Sequence, residues 1–416
     1  MRLLYSFFIR MYSLAVAMYS IVNTKAALWI NGRKKWKQKL QGINFNDHQV
    51  LWFHCASLGE FEQGRPLIEE INGSGKYKVL LTFFSPSGYE LKKNYQHAQW
   101  VMYLPADTAG NAGYFIDMVK PKAVFFIKYE FWFNYLIELK KRAIPVYLVS
   151  GIFRENQYFF TWYGKWAVKQ LNAFSYFFVQ NQESHKLLNR IGYKNVAITG
   201  DTRFDRVLQI RQTSKKYEQI DAFVNDDLVI VAGSTYAEDE KILKSAFAKL
   251  LIANVNVRLI VAPHVVTANR IAESEITFGM NDSSKFSQEN SNHTNKKILI
   301  IDNIGMLSSL YSYADVAYIG GGLGKGIHNT LEAAVYGIPL IFGPNFHKFE
   351  EAGALVGSGA AVVINNQDEL YTVLLNLLSD GTERKRKGAL AGSYVKAQQG
   401  AVVKIIQALK EKNILL

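Results

Sequence analysis

A single cysteine, Cys55, among 416 residues excludes an internal disulfide framework and fits a reducing compartment. The eight histidines are scattered and no Cys/His cluster has metal-ligand spacing. No Asp-x-Asp pair is present to hold a metal-bound diphosphate, so neither a metal nor a cofactor is expected. Acidic residues are missing altogether before Asp47. Long apolar runs are missing there too. The uncharged stretch between Arg10 and Lys25 has 14 residues, which as a helix cover roughly 21 Å against a hydrocarbon core of ~30 Å. No small-residue cleavage site precedes the basic cluster that follows, so a cleaved signal peptide is not expected.

What the N-terminus does have is positive charge and apolar surface. The net charge of the chain is +13, and Arg2, Arg10, Lys25, Arg33, Lys34, Lys35, Lys37 and Lys39 all lie ahead of the first acid. Among them runs the apolar stretch Met11 to Val22, with Tyr12, Tyr19 and Trp29 interleaved. Residues 1–45 are therefore expected to associate with a membrane surface. The preferred form is a helix lying in the interface, held by apolar burial and by attraction to anionic lipid. A single-pass anchor is the alternative, and the basic cluster behind it would keep the bulk of the chain cytoplasmic. A basic arm for nucleic acid would leave the apolar run unexplained.

With 49% hydrophobic residues and this length, two domains are expected. Strand, turn and helix alternate along the chain. Strands are predicted at Val50 to His54, Lys78 to Phe83, Ala123 to Ile127, Pro145 to Val149 and Tyr176 to Gln180. A second series starts at Leu228 to Ala232 and continues through Val257 to Ala262 and Ile298 to Ile301. Near-continuous apolar strands alternating with helices indicate an α/β fold of doubly wound parallel sheets. The boundaries read as residues 46–208 for a first Rossmann-like domain, 209–227 for a polar linker and 228–416 for a second, with a cleft between the two. The polar stretch from Phe278 to Lys297 reads as a surface insertion.

The densest signal lies between Ala314 and Asn345. Val316 to Ile319 is a strand, five glycines follow within Gly320 to Gly326, a helix opens near Asn329, and Pro339 to Phe342 is a further strand. Such glycines let backbone approach a ligand, and a helix N-terminus behind them suits an anion. Gly326 follows Lys325, so the hydroxyl residue of a P-loop is absent. A phosphate or nucleotide seat in the second domain is the general expectation.

Other polar turns also follow strands, at the edge where ligands of such sheets sit. Glu60 could take a proton from an attacking hydroxyl, but Ser57-x-x-Glu60 is equally the spacing of a capping box. Glu332, three residues after Asn329, reads either as an acceptor for ribose hydroxyls or as a cap. Glu130 stands directly after a buried strand, as a functional acid or a solvated turn. His264 is a ligand group or a structural histidine. Ser234 and Thr235 offer hydroxyls and amides to a phosphate, or cap the next helix. Ser57, Gly59, Ser87 and Lys128 are further candidates in the first half, which a two-sided site would give to one of two substrates.

Taken together, these strings resemble a known family. HCASLGEFEQGRPLIEEI has the H-x-x-S-x-G-E segment of the Kdo (3-deoxy-D-manno-oct-2-ulosonic acid) transferases of lipopolysaccharide synthesis in Gram-negative cells. The likeness continues in order through TFFSPSGYE, YLPADTAGN, KPKAVFFIKYEFWFN, IPVYLVSGIFRE, TGDTRFD, AGSTYAEDE, the Gly-Met-Leu turn, YADVAYIGGGL and HNTLEAAVYGIPLIFGP. It implies a GT-B glycosyltransferase whose N-terminal half binds a lipid A precursor and whose C-terminal half binds CMP-Kdo. The family acts at the cytoplasmic face of the inner membrane, inverts the anomeric centre and uses no metal. By the same resemblance Glu60 matches the general base, and Glu130 matches a second acid associated with activity. Pro263, His264, Gly305, Met306, Leu307, Asn329, Thr330, Leu331 and Glu332 match the CMP-binding positions.

Three departures stand out. Pro263-His264-Val265 replaces the family's Pro-Arg-His, leaving Arg270 as the candidate substitute for the missing arginine. Gly305-Met306 replaces Gly-Glu, and Lys128 sits where many members have another residue. A UDP-sugar glycosyltransferase or epimerase of the same fold, and a non-catalytic nucleotide-binding scaffold at the membrane, are the rival expectations.

Overall fold

Strands that are apolar on both faces need cover on both, and the chain supplies it with helices. In the computed structural model, which describes residues 1–288 and 295–415, the first sheet holds seven strands. These are β1 (Val50–Cys55), β2 (Lys78–Phe83), β3 (Trp100–Tyr103), β4 (Ala123–Ile127), β5 (Val146–Gly151), β6 (Tyr176–Val179) and β7 (Val196–Ile198), ordered β3-β2-β1-β4-β5-β6-β7. All of its pairings are parallel. Alternate residues of β1 enter opposite cores: Trp52 packs with Leu80, Phe126 and Tyr135 on one face, and Leu51 and Phe53 pack with Leu67, Ile68 and Phe125 on the other.

The second sheet repeats the plan with β8 (Leu228–Thr235), β9 (Val257–Pro263), β10 (Ser283–Lys285), β11 (Ile298–Ile300), β12 (Val316–Ile319), β13 (Leu340–Phe342) and β14 (Ala361–Val363). Their order is β10-β11-β9-β8-β12-β13-β14, again with parallel pairing. In the first sheet the chain winds outward from β1, returns to its other side at β4 and winds away again. In the second, β11 is laid between β9 and the edge strand β10 before the chain returns to the other side of β8 at β12. Strand order therefore reverses between β1 and β4 and between β8 and β12, the points outside whose carboxyl ends a doubly wound sheet leaves a crevice.

The division of the chain differs from the expected one. One unit comprises Met1–Arg206 with Gln399–Leu416, and the other comprises Val207–Gln398. The polar stretch 209–227, expected as a linker that is helical or loose, contains the helix Glu218–Val224 and lies wholly within the second unit. The last helix, Ala401–Glu411, belongs to the first unit because Val402, Ile405 and Leu409 complete the core on the Leu51/Phe53 face of its sheet. The carboxylate of Asp205 starts that helix, accepting the Gly400 N–H at 2.6 Å and the Val402 N–H at 2.9 Å. In the expected insertion, Ser283–Lys285 forms the edge strand β10; its residues 289–294 lie outside those described.

At the other end of the chain, the helix Arg2–Tyr19 buries no residue. It is tied down on one side: the Tyr5 hydroxyl donates to Asp107 at 2.7 Å and Arg2 pairs with Glu138 at 2.7 Å. On the other side Leu3, Phe7, Phe8, Met11, Leu14 and Met18 stand exposed at helical spacing, the reverse of the usual inward apolar stripe. Among the described residues no helix is long and apolar enough to cross a membrane, so the single-pass anchor is without support.

Asp205→Ala removes both acceptors at the start of the last helix. Urea unfolding of the full chain should show a loss of about 1–2 kcal/mol, the usual cost of an N-cap deletion.

Candidate active site

In the first unit the turns after β1, β2 and β4 meet at the carboxyl edge. Ser57 caps the helix Leu58–Gly73, its Oγ accepting the Gly59 N–H at 3.2 Å. The same hydroxyl donates to the Glu60 carboxylate at Oε2, whereas a capping box would place that carboxylate on the Ser57 amide. Among the described residues no hydrogen bond holds Glu60 Oε1, and the side chain is half-exposed. The neighbouring turn comes close. A Cβ on Gly88 would lie 2.3 Å from the Phe83 ring and 3.1 Å from the Ser57 carbonyl carbon, so only glycine lets the Ser85–Gly88 turn pack there. Ser87 stands exposed, its hydroxyl 2.9 Å from that of Ser85.

After β4 the backbone is strained: Lys128 has φ +70°, in the left-handed region. Its ammonium lies 5.1 Å from the centre of the Tyr129 ring. The turn brings Glu130 back against the sheet, where it is 7% exposed. Its Oε2 accepts the Trp132 indole N–H at 2.5 Å and lies 3.2 Å from His54 Nε2. Burial, and after it the charges of Glu60, Glu130 and Glu62, push the Cys55 thiol well above its ordinary value. Cys55 is thus an unreactive packing residue.

The second unit gathers its candidates around β8 and β12. Ser234 takes φ +55°, and a Cβ on Gly320 would lie 2.4 Å from the Ser234 carbonyl oxygen. One on Gly322 would lie 2.5 Å from the Gly343 nitrogen. These two glycines are therefore needed for backbone to cross backbone. A Cβ on Gly233 would meet Tyr311 Oη at 2.1 Å and Leu307 Cδ1 at 2.8 Å, which places the Gly305-Met306-Leu307 turn behind β8. Gly305 has φ +97°, and Met306 is buried. The Thr235 hydroxyl donates to the buried Glu240 at 2.8 Å and is spent there. Asn329 accepts the Leu331 N–H at 3.1 Å and donates to Glu332 at 2.9 Å, so its amide orients that acid. Thr330 Oγ1 is buried without a hydrogen-bond partner among the described residues. The expected helix after Asn329 is a single turn, Leu331–Ala334. Its aligned dipoles are too few for the anion seat that a full helix would give.

Three aromatic rings close this edge. Pro263 ends β9, and the His264 N–H donates to the Thr235 carbonyl at 3.0 Å. The His264 ring stacks on His328 with centroids 4.1 Å apart, and Tyr236 stacks on His328 at 5.6 Å and lies tilted against His264 at 5.2 Å. The Lys325 ammonium stands 5.8 Å from the Tyr236 ring centre. Burial, then the Lys325 charge, lowers the proton affinity of His264. Burial, then His264, brings His328 down to about 4. Both imidazoles are neutral at pH 7, and Lys325 is the cation beside them. Arg270, the candidate replacement for the missing arginine, is turned inward. Its Nη2 lies 2.6 Å from Glu240 and its Nη1 donates to Ser274 at 3.0 Å, because Glu240 is fully buried and needs a counter-charge.

Sequence reasoning places His54 at the head of the H-x-x-S-x-G-E segment without giving it a role, and it does not single out Trp132, Tyr236, Lys325 or His328 for these places. A histidine closing an otherwise apolar strand, as in VLWFH, was the available signal for His54.

His328 sets a sign for pH dependence. Its unfolded form takes up a proton near 6.5 and its folded form near 4. Between these values the unfolded chain binds more protons, so stability falls as pH drops from 6.5 toward 4. Thermal unfolding across that window should show a shallower decline for His328→Gln than for the wild type.

Residues 34–206 match the family model for 3-deoxy-D-manno-octulosonic-acid transferase (kdotransferase). The 3-deoxy-D-manno-octulosonic acid transferase of Aquifex aeolicus is 30% identical over 341 residues, covering 81% of this chain and 88% of that protein. The transferase of the same name from Haemophilus influenzae is 27% identical over 394 residues, covering 88% of each. Among solved structures, UDP-GlcNAc 2-epimerase from Neisseria meningitidis bound to UDP-GlcNAc aligns with a TM-score of 0.62 at 15% identity, covering 87% of this chain and 99% of that one; this likeness is one of fold. With its two parallel seven-stranded sheets and these relatives, the chain belongs to the 3-deoxy-D-manno-octulosonic acid (Kdo) transferases, glycosyltransferases of GT-B fold.

Proposed function

We propose that this enzyme moves Kdo from CMP-Kdo to a lipid A precursor of the lipid IVA type, by a single inverting displacement with Glu60 as general base. The observation that carries this reading is the placement of Glu60 and Glu130 after β1 and β4, on either side of the point where strand order reverses. The acceptor hydroxyl attacks the anomeric carbon. A new carbon–oxygen bond forms while the bond from that carbon to the phosphate oxygen breaks, and CMP departs with the electron pair. The hydroxyl proton goes to Glu60, whose Oε1 is open while Ser57 holds Oε2. CMP leaves with added negative charge. Backbone amides of the Ser234 and Gly320 turns, Lys325 and the neutral His264–His328 pair are the groups of the second unit suited to receive it. Asn329 presents Glu332 for the ribose hydroxyls.

The exposed apolar stripe of the helix Arg2–Tyr19, with basic residues behind it, suits a helix lying in an anionic membrane surface at the cytoplasmic face. An enzyme held there meets its lipid acceptor by searching a surface instead of a volume.

Mass spectrometry of a tetra-acylated lipid A precursor incubated with purified protein and CMP-Kdo generated in place is the direct test. Wild type should yield products heavier by one or more Kdo units, and Glu60→Gln should be slower by about 10²- to 10⁴-fold with an unchanged melting temperature. A folded wild type that gives no mass shift, and that UDP protects against heat better than CMP does, would overturn the donor assignment. Equal rates in the two proteins would leave Glu60 only as the acceptor that holds the Ser57 hydroxyl. Replacing Phe7 and Phe8 together by serine should weaken binding to vesicles containing anionic lipid by about tenfold or more, given the apolar burial each ring supplies, without changing the melting temperature.

A further inference from the structure

One buried group in the first unit has no part in the mechanism above. His54 closes β1 with no exposure to solvent, and it faces Thr82 on β2 and Phe126 on β4. An apolar residue would fill that site at less cost, since a buried imidazole must keep both ring nitrogens satisfied. Its Nδ1 lies 2.8 Å from Thr82 Oγ1, and its Nε2 lies 3.2 Å from Glu130 Oε2. The Trp52 indole N–H donates to the same Thr82 oxygen at 2.8 Å.

The proton positions follow from these contacts. Trp52 fills one lone pair of Thr82 Oγ1, and the Thr82 hydroxyl has two possible acceptors: His54 Nδ1 at 2.8 Å and the Phe53 carbonyl at 3.3 Å. If it gives its hydrogen to the carbonyl, Nδ1 must carry the imidazole proton, and a bare Nε2 then faces the lone pairs of Glu130. It would have only the Trp132 N–H, 3.0 Å away, to share with that carboxylate, which lies closer to the indole at 2.5 Å. If it gives its hydrogen to Nδ1, Nε2 carries the proton and donates it to Glu130. Every donor then has one acceptor, running Trp52 to Thr82 to His54 to Glu130. The Trp132 N–H, 2.5 Å from Glu130 Oε2, supplies the second donor to the same oxygen.

We propose that His54 and Trp132 together clamp Glu130 by its Oε2, fixing its rotamer so that Oε1 alone is presented to the substrate. His54 is in these terms a positioning residue. The series does not relay protons, because it ends at Trp52, which is fully buried among Phe115, Phe126 and Tyr135. A proton moved inward would have no exit to water. What the series does supply is a fixed dipole, anchored across two strands of the sheet, that holds an acid lying on a strained turn. Among the described residues no hydrogen bond holds Oε1, so the clamp is one-sided. Misplacement of a group that contacts substrate by about 1 Å costs on the order of 10²-fold in rate.

The proposal rests on Glu130 taking part in the transfer, and the test separates the two. Kdo transfer by the full-length protein is measured as above for the wild type, Glu130→Ala, His54→Leu, His54→Gln and the double variant His54→Leu/Glu130→Ala. His54→Leu is expected to lower kcat about 10- to 100-fold with little change in KM. His54→Gln, whose Nε2 can donate from nearly the same place, should restore much of the loss. In the double variant His54→Leu should add nothing to Glu130→Ala, since the clamp has nothing left to hold. Thr82→Val, nearly isosteric, removes the hydroxyl that sets the tautomer and should reproduce the partial loss and the same lack of additivity, which keeps the test open if His54→Leu fails to fold. Full activity of Glu130→Ala would overturn the role of Glu130 and the clamp with it. An active-site role for Glu130 combined with additive losses, or with no rescue by His54→Gln in a folded protein, would overturn the clamp alone.

Discussion

A parallel sheet whose strand order reverses beside its first strand leaves one place along its edge that no crossover helix covers, and this constraint governs where chemistry is possible in the chain. Each unit meets it in the same way. The turns after β1 and β4 in the first, and after β8 and β12 in the second, diverge to opposite faces and leave their polar groups between them. Parallel strands all end at that edge, so residues far apart in sequence, such as Ser57, Ser87 and Lys128, arrive together without any contact specific to them. The price is backbone strain at the strand ends. Lys128, Ser150 and Ser234, none of them glycine, close β4, β5 and β8 at positive φ.

The two edges have opposite electrostatic character. In the first unit carboxylates accumulate at the end of β1, where burial first, and then the charges of Glu60, Glu130 and Glu62, raise the Cys55 thiol. The second edge is built from neutral imidazoles, backbone amides and one lysine, with Asp239 and Glu240 tied to Tyr318 and Arg270 and Glu332 held by Asn329. An acid-rich edge suits proton removal and an acid-poor one suits a departing anion. The division follows from the kind of partner each acid has: Glu60 and Glu130 are held by hydroxyl, indole and imidazole groups, whereas Glu240 is paired with a guanidinium.

Much of this was legible in the sequence because it depends on local patterns. The apolar runs gave most strands to within a residue or two, and the turns following them gave most of the candidate residues. What was not legible depends on long-range packing. The glycines of Gly320 and Gly322 read as room for a ligand, but they make room for the backbones of Ser234 and Gly343. Arg270 is spaced to reach a phosphate, yet it is claimed by Glu240, a buried acid with which it shares no sequence pattern. The helix after Asn329 stops after one turn, and the Ala401–Glu411 helix crosses to the first unit because its apolar stripe fits a sheet face formed more than two hundred residues earlier. His54 heads the H-x-x-S-x-G-E segment, but its role was not legible, because its partners, Thr82 on β2 and Glu130 after β4, are far from it in sequence.

That crossing helix also sets an order of events during synthesis. Because the first unit takes its last element from residues after Gln398, the second unit is an insertion within it. As the chain emerges from the ribosome, all seven strands of the first sheet are made while the Leu51/Phe53 face still lacks Val402, Ile405 and Leu409. The second unit, continuous from Val207 to Gln398, is complete before the first can close. The half that begins the chain is thus the last to be finished, and its exposed sheet face must be shielded until the final turn of helix leaves the tunnel.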